Sequence, residues 1–545
     1  MQSKLRTLLI GLAVIGSPIA AIAAEQTDRA LVVVISLDQF RADYLKRFRP
    51  FFGPRGFNLL LNEGAVYSDC HFKHAYTITG PGHAVMLSGT YPNTHGIIDN
   101  DWIDRTTLLG TNCVSDPSVS IVGRTFSGKP PEGRSPRNLM VTTVGDEYKL
   151  ARGGRRKVIG IANKDRAAIL MAGHLADAAY FMQEGSFVSS TYYMNTVPGW
   201  VANWNRAAKA DAYFGRVWDR ILPPAAYEIQ GPDDMEGEFT GAGLGRTFPK
   251  TVNGGDSKPG GAFYSALGST PFASELLADF ARTAITRENL GKRGVTDILC
   301  LGFSVPDAIG HNYGPNSQEV MDNAVRTDRI LAELFEFLDG WVGLNRCTII
   351  LTADHGAAPL PEYIQASGRP VPSGRIRFRD VARAEEAALN ARFGPLADNG
   401  AWLVDYGLIQ PSALKEKNLH AAEVEAVMRD AALTLPWVQA AYTRTQLEQG
   451  EVHDRIGHQV LLSFNKERSG NLLVIVKPYY FQKSGMGISH GSPYNYDTHV
   501  PLLWYGVGVP RGEHTERVGV DDLAPTLSHL LGLPAPPKAN GRVLF

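Results

Sequence analysis

The apolar positions of this chain fall into two patterns. Leu31 to Leu37, LVVVISL, is a continuous apolar run rich in β-branched residues, as expected of a strand buried on both faces of a parallel sheet, and it stops at Asp38. Val158 to Ala162 (VIGIA), Asp297 to Phe303 (DILCLGF), Thr348 to Thr352 and Pro501 to Gly506 repeat the pattern. Helical spacing fills the intervals, around Tyr44 to Phe48, Phe57 to Glu63, Gln318 to Leu338 and Asp521 to Leu531. Thr79, followed by Gly80-Pro81-Gly82 and the apolar Ala84 to Leu87, reads as a loop entering a helix with proline in its first turn. Strands alternating with helices predict an α/β fold: a doubly wound, mostly parallel sheet with helices on both faces.

Two stretches break the alternation. Pro223 to Gly268 is rich in Gly, Pro, Asp and Asn and reads as a long surface loop inserted in the main domain. Residues 359–483 carry their own helix (Ala421 to Leu433) and strand (Leu472 to Val476) patterns, which predict an inserted α+β cap subdomain. The main domain is then 24–358 with 484–545. At the start, Lys4 and Arg6 precede the apolar stretch Leu8 to Ile22 and the small-residue site Ala21-Ile22-Ala23, predicting a signal peptide over 1–23. A retained anchor is the weaker reading, because the run is short and broken by Gly16, Ser17 and Pro18. Cleavage would place the protein in the periplasm or the medium, where the four cysteines meet oxidising conditions. Three pairings exist. Cys70 with Cys113 and Cys300 with Cys347 is the expected one, since Cys300 and Cys347 each lie in a predicted strand, seven residues before Asp307 and Asp354. No Cys-x-x-Cys spacing supports a zinc finger.

Composition narrows the chemistry. Net charge −1 and a pI near 6.9 exclude the concentrated basic surface that nucleic-acid binding needs, so an anion site has to be local. Ligands of open α/β sheets bind beyond the carboxyl ends of the strands. The residues at those ends are Asp38, Asp307 with His311, and Asp354 with His355. One aspartate there is usually a cap or a turn residue. Three such strand ends, two of them with histidine, point to a metal site, and Asp-x-x-x-His sets its two ligands one helical turn apart. His490, in the glycine-rich GMGISHGS, is a further ligand candidate or a solvated loop histidine. Thr79 is either an N-cap or an oxygen nucleophile at a helix terminus.

Taken together, SLDQFRADYL at Asp38, TITGPGHAVMLSGTYPNTHGIIDN at Thr79 and Asn100, NKDR at Lys164 and Arg166, PDAIGHNYGP, TADHG and GMGISHGS resemble the alkaline phosphatase superfamily. The resemblance is greatest to exported bacterial alkaline phosphatases with a threonine nucleophile, relatives of nucleotide pyrophosphatase/phosphodiesterases. It implies two Zn²⁺ ions. One would be held by Asp38, Asp354, His355 and the Thr79 oxygen, the other by Asp307, His311 and His490. Asn100, Lys164 and Arg166 would hold the phosphoryl oxygens, and small-molecule phosphate monoesters would be cleaved through a phosphothreonine at Thr79. Two dications balance three aspartates and a threonine alkoxide, and Lys164 with Arg166 then match a monoester dianion. The same donor set also takes Mn²⁺, Co²⁺ or Fe²⁺.

A phosphodiesterase on the same metals is the nearest rival. A sulfatase lacks its Cys/Ser-x-Pro-x-Arg motif here, phosphoglycerate mutase-like transfer fits poorly with export, and a zinc- or phosphate-binding protein would not need Thr79. An additional Ca²⁺ has a candidate loop at Asp233, Asp234 and Glu236. His83 and His95 are expected to orient the nucleophile loop and, like His71, His74 and His499, not to bind metal. A monomer without a membrane anchor is expected.

Overall fold

The computed structural model describes residues 29–126, 130–152, 155–368 and 371–545. The expected signal peptide lies outside the described residues. The apolar runs become the middle of a ten-stranded sheet. In chain order its strands are β1 (Leu31–Leu37), β2 (Ala65–Tyr67), β3 (Ile121–Val122), β4 (Val158–Ala162), β5 (Ala178–Gln183), β6 (Ser186–Ser190), β7 (Asp297–Phe303), β8 (Cys347–Thr352), β9 (Leu502–Gly506) and β10 (Gly512–His514). Their spatial order is β10-β2-β9-β8-β1-β7-β4-β5-β6-β3. The central β8, β1, β7, β4 and β5 are parallel, while β9 and β6 run antiparallel to their neighbours and make the flanks mixed. Every residue of β1, β4, β7 and β8 is buried, which is why these strands lack polar alternation.

Register decides where the chemistry emerges. Leu31 lies opposite both Asp297 and Cys347, and Ser36 opposite both Gly302 and Thr352, so β8, β1 and β7 end at one level. Four helices matter for that edge: α1 (Thr79–Ser88), α2 (Asp165–Ala172), α3 (Val305–Tyr313) and the long amphipathic α4 (Gln318–Val342), capped by Ser317 Oγ accepting from Val320 N at 3.2 Å.

The expected disulfides do not form: all four cysteines are free and buried. β1 separates β7 from β8, and Cys300 faces Val34 whereas Cys347 faces Leu31. Two strand spacings amount to about 10 Å, beyond the ~7 Å reach of a disulfide.

Pro223 to Gly268 is not a bare surface loop either. Lys250–Val252 pairs with Arg216–Trp218, Gly261–Gly268 is helical, and Tyr227, Phe248 and Phe263 are buried. Lys250, itself buried, is 2.9 Å from the buried Glu319. At the candidate calcium loop, Asp233 meets Arg220 at 2.9 Å and Asp234 meets Arg246 at 2.7 Å.

Within 359–483, Val381, Leu389, Trp402, Val424, Met428 and Val474 form a cluster of their own beside the antiparallel pair Val438–Thr443 and Leu472–Val476. A smaller cluster around Tyr442, Val460 and Ile475 includes Ala75, four residues before Thr79. Glu385 is buried in this region with Oε1 lacking a partner, and burial pushes its pKa up to about 7 from 4.5. A raised carboxyl pKa stabilises the fold fully below the unfolded value and ceases to do so as pH rises through the folded one. Glu385→Gln is therefore expected to leave urea denaturation unchanged near pH 4 and to stabilise the protein at pH 8 by roughly 1–3 kcal/mol.

Candidate active site

Three adjacent strands deliver three carboxylates. Asp38 follows β1 directly, Asp354 and His355 follow β8, and Asp307 lies in the first turn of α3 just beyond β7, with His311 one turn further on. One strand outward, Lys164 and Arg166 begin α2 after β4. Sheet order thus sets Asp354, Asp38, Asp307 and then the Lys-x-Arg pair in sequence along one edge. His490 arrives from a loop held at both ends, by Ile488 N donating to His311 O (2.9 Å) and by Thr77 O accepting from His490 Nδ1 (2.9 Å).

Thr79 is the first residue of α1, not its cap. Ile78 occupies the cap position, and Thr79 Oγ1 lies 3.4 Å from His355 Nε2. Gly80 N donates to Asn100 Oδ1 at 2.8 Å, which fixes the amide and leaves Nδ2 as the free donor. His83 Nδ1 donates to Thr79 O (2.9 Å) and approaches Asp354 Oδ2 (3.3 Å), and its Nε2 meets Ser36 Oγ (3.1 Å), so it ties the Thr79 turn to β1 and to the segment after β8. His95 Nδ1 accepts from Ile97 N at 3.0 Å, within its own bend.

The imidazoles share one orientation. His311 Nδ1 donates to Ile488 O (2.8 Å), His355 Nδ1 to Gly356 O (2.9 Å) and His490 Nδ1 to Thr77 O. A carbonyl only accepts, so Nδ1 carries the hydrogen, and the lone pair of the neutral ring lies on Nε2. Those lone pairs face carboxylates: His355 Nε2 is 3.5 Å from Asp38 Oδ1 and 3.4 Å from Asp354 Oδ2, and Asp307 Oδ1 is 3.2 Å from His311 Nε2 and 3.6 Å from His490 Nε2. Burial holds the pKa values of His355 and His490 below the ordinary value and keeps both rings neutral.

The carboxylates need cations. Burial, then the charge of Asp354, raises the pKa of Asp38. Lys164 Nζ reaches Asp38 Oδ2 (2.7 Å) and Asp307 Oδ2 (2.6 Å), while Asp38 Oδ1 and Asp354 Oδ2 have no hydrogen-bond donor. Buried carboxylate oxygens without donors beside neutral imidazole nitrogens fit divalent metal ions of the zinc type. His355 and His490 stack 3.6 Å apart at 15°, and His355 belongs to both sets of gathered ligand atoms, with Asp38 and Asp354 and with Asp307 and His490, each set within 4.8 Å. A further cluster, Asp69, His71 and His499, also brings potential ligands together. Its rings are parallel at 9°, and both nitrogens of His71 are taken, by Asp69 (2.8 Å) and Thr498 (3.0 Å), which suits a structural clasp.

A cavity of about 740 Å³ is lined by Asn100, His311 and His490 together with Tyr406, Tyr480 and Lys483. Tyr76 and Val474 also line it, the Tyr76 hydroxyl donating to Val474 O at 3.2 Å. The description "Type I phosphodiesterase / nucleotide pyrophosphatase" matches residues 32–496. Alkaline phosphatase PafA of Elizabethkingia meningoseptica is 33% identical over 541 residues, 98% of this chain and 97% of that protein. Its crystal structure superposes with a TM-score of 0.87 over 95% of this chain and 98% of that one. The chain belongs to the alkaline phosphatase superfamily.

Other members are similar at comparable levels. PhoV, the alkaline phosphatase of Synechococcus elongatus, is 33% identical over 519 residues, 94% of this chain and 92% of that protein. A Myroides odoratus protein named calcium-transporting ATPase is 33% identical over 538 residues, 96% of this chain and 95% of that protein. Among the described residues no helix is long and apolar enough to cross a membrane. This member of the superfamily is a phosphatase. Two supports of its site carry no local sequence signal: Gln39, discussed below, and Arg375, which binds Glu362 through two contacts (2.6 and 3.0 Å) and donates to Gly487 O at 2.9 Å beneath the His490 loop.

Proposed function

We propose that this protein is an exported, zinc-dependent alkaline phosphatase that hydrolyses phosphate monoesters through a phosphothreonine at Thr79. The observation that carries the reading is the approach of Thr79 Oγ1 to His355 at the junction of two carboxylate–imidazole groups. Asp38, Asp354 and His355 would hold one ion, and Asp307, His311 and His490 the other. When bound, the ions supply Lewis acidity to the attacking and departing oxygens. The chain does the rest. α1 presents Thr79 Oγ to phosphorus, while Asn100 Nδ2, Lys164 and Arg166 take up the non-bridging oxygens. Thr79 Oγ loses its proton and bonds to phosphorus as the P–O bond to the ester oxygen breaks and that oxygen takes up a proton; water then attacks phosphorus, the Thr79 Oγ–P bond breaks, and one water proton returns to Thr79 Oγ, leaving inorganic phosphate. Residues 359–483 act as a cap over the cavity, and 24–358 with 484–545 form the catalytic domain.

PafA offers support of another kind, because a mutant of it solved at TM-score 0.86 was altered at a threonine, an asparagine, a lysine and an arginine, the residue types found here at 79, 100, 164 and 166. The rival is the diesterase that the family description names. Lys164 and Arg166 favour a dianion over a diester monoanion. Turnover of phenyl phosphate is expected to exceed that of diphenyl phosphate at least a hundredfold, and chelation to remove it until zinc is restored. A preference for the diester overturns the monoester assignment and leaves the metals in place; activity untouched by chelation overturns the metals.

A further inference from the structure

Gln39 follows Asp38 at the end of β1 and is 2% exposed. Its φ is +61°, in the left-handed region that residues with a side chain avoid and glycine enters freely. Retaining a side chain there calls for a compensating contact, and two bonds supply it. The backbone N–H donates to Asp354 Oδ1 at 3.0 Å. The amide Nε2 lies 2.7 Å from Asp307 Oδ1, and because a carboxylate only accepts, that atom must be the NH₂. This is the same Asp307 oxygen that faces His311 and His490. The amide has its space because residue 310 is glycine: a Cβ there would come within 1.9 Å of Gln39 Oε1.

One residue therefore grips a carboxylate from each candidate metal group, one through the main chain and one through the side chain. We infer that Gln39 is a positioning residue that aims the Asp307 carboxylate at its ion and fixes it relative to Asp354. The inference rests on the two-metal reading above. Removing a partner that orients a metal ligand lowers metal affinity by about 10–100-fold.

Gln39→Gly separates the two bonds. Glycine accepts the backbone conformation and keeps the N–H to Asp354, losing only the amide. Zinc loading of the full chain is followed by competition with a chromophoric chelator, alongside the thermal midpoint of the metal-free protein. The expected result is two binding steps in the native protein, of which one weakens about tenfold in the variant and the other moves less than twofold, with the metal-free midpoint unchanged or raised. Unchanged steps, or both steps weakened together with a lowered midpoint, overturn the positioning role. A native protein with fewer than two zinc steps instead overturns the two-metal reading on which it stands.

Discussion

Thr79→Ala is expected to reduce phosphate release from phenyl phosphate by about four orders of magnitude or more, the scale seen when an enzyme loses its nucleophile, while zinc content and thermal midpoint stay within error. The stability half of the expectation follows from the helix geometry. A threonine that caps a helix is worth about 1 kcal/mol through its side-chain bond, but Thr79 lies one residue inside α1 and makes no such bond. Its hydroxyl is directed to His355, so its removal leaves the fold intact and the reaction without an acceptor for phosphorus. Thr79→Ser, which keeps the oxygen, should retain most of the activity. A Thr79→Ala protein within tenfold of native turnover, with its metals in place, would mean that the phosphoryl group goes straight to water.

How far the sequence announced this arrangement depends on where each signal resides. β1, β4, β7 and β8 were legible because strands buried on both faces need continuous apolar runs, and the residue that ends such a run stands at the edge where ligands bind. β5 and β6 were not. AAYFMQ and SFVSS are poor in β-branched residues, and they are joined through Glu184 and Gly185, both at positive φ, without the Asn-Gly signature of such turns. The cysteine pairing failed for a related reason: equal spacing to two aspartates fixes neither level nor neighbour, and Cys300 lies opposite Val34, Cys347 opposite Leu31, with β1 between them. Gln39 is invisible in one dimension, since its partners are 268 and 315 residues away. The family motifs, by contrast, mark residues whose local turn already aims them at the edge.

Gly82→Ala offers the sharpest test of that edge, because two general expectations collide there. Inside a helix, alanine normally stabilises over glycine by about 1 kcal/mol. Gly82 sits in the first turn of α1 against the segment that follows β8, and a Cβ would lie 2.2 Å from Asp354 O and 2.9 Å from Asp354 Cβ. Neither atom belongs to the end of a flexible side chain, so α1 or the Asp354 backbone has to move. Overpacking of this kind costs on the order of 1–3 kcal/mol, which outweighs the propensity gain. The displaced element is either the one that presents Thr79 or the one that presents Asp354 and His355. The expected outcome is thus a protein of lower thermal midpoint whose turnover falls at least a hundredfold and whose zinc content drops below that of the native chain. Ser88, at the far end of the same helix, supplies the control: Ser88→Ala removes a hydroxyl bonded to Ala84 O at 2.5 Å and should leave turnover within about twofold. If Gly82→Ala were instead stabilised and fully active, α1 would not be wedged against the Asp354 segment, and the short distance between Thr79 and His355 would lose its structural cause.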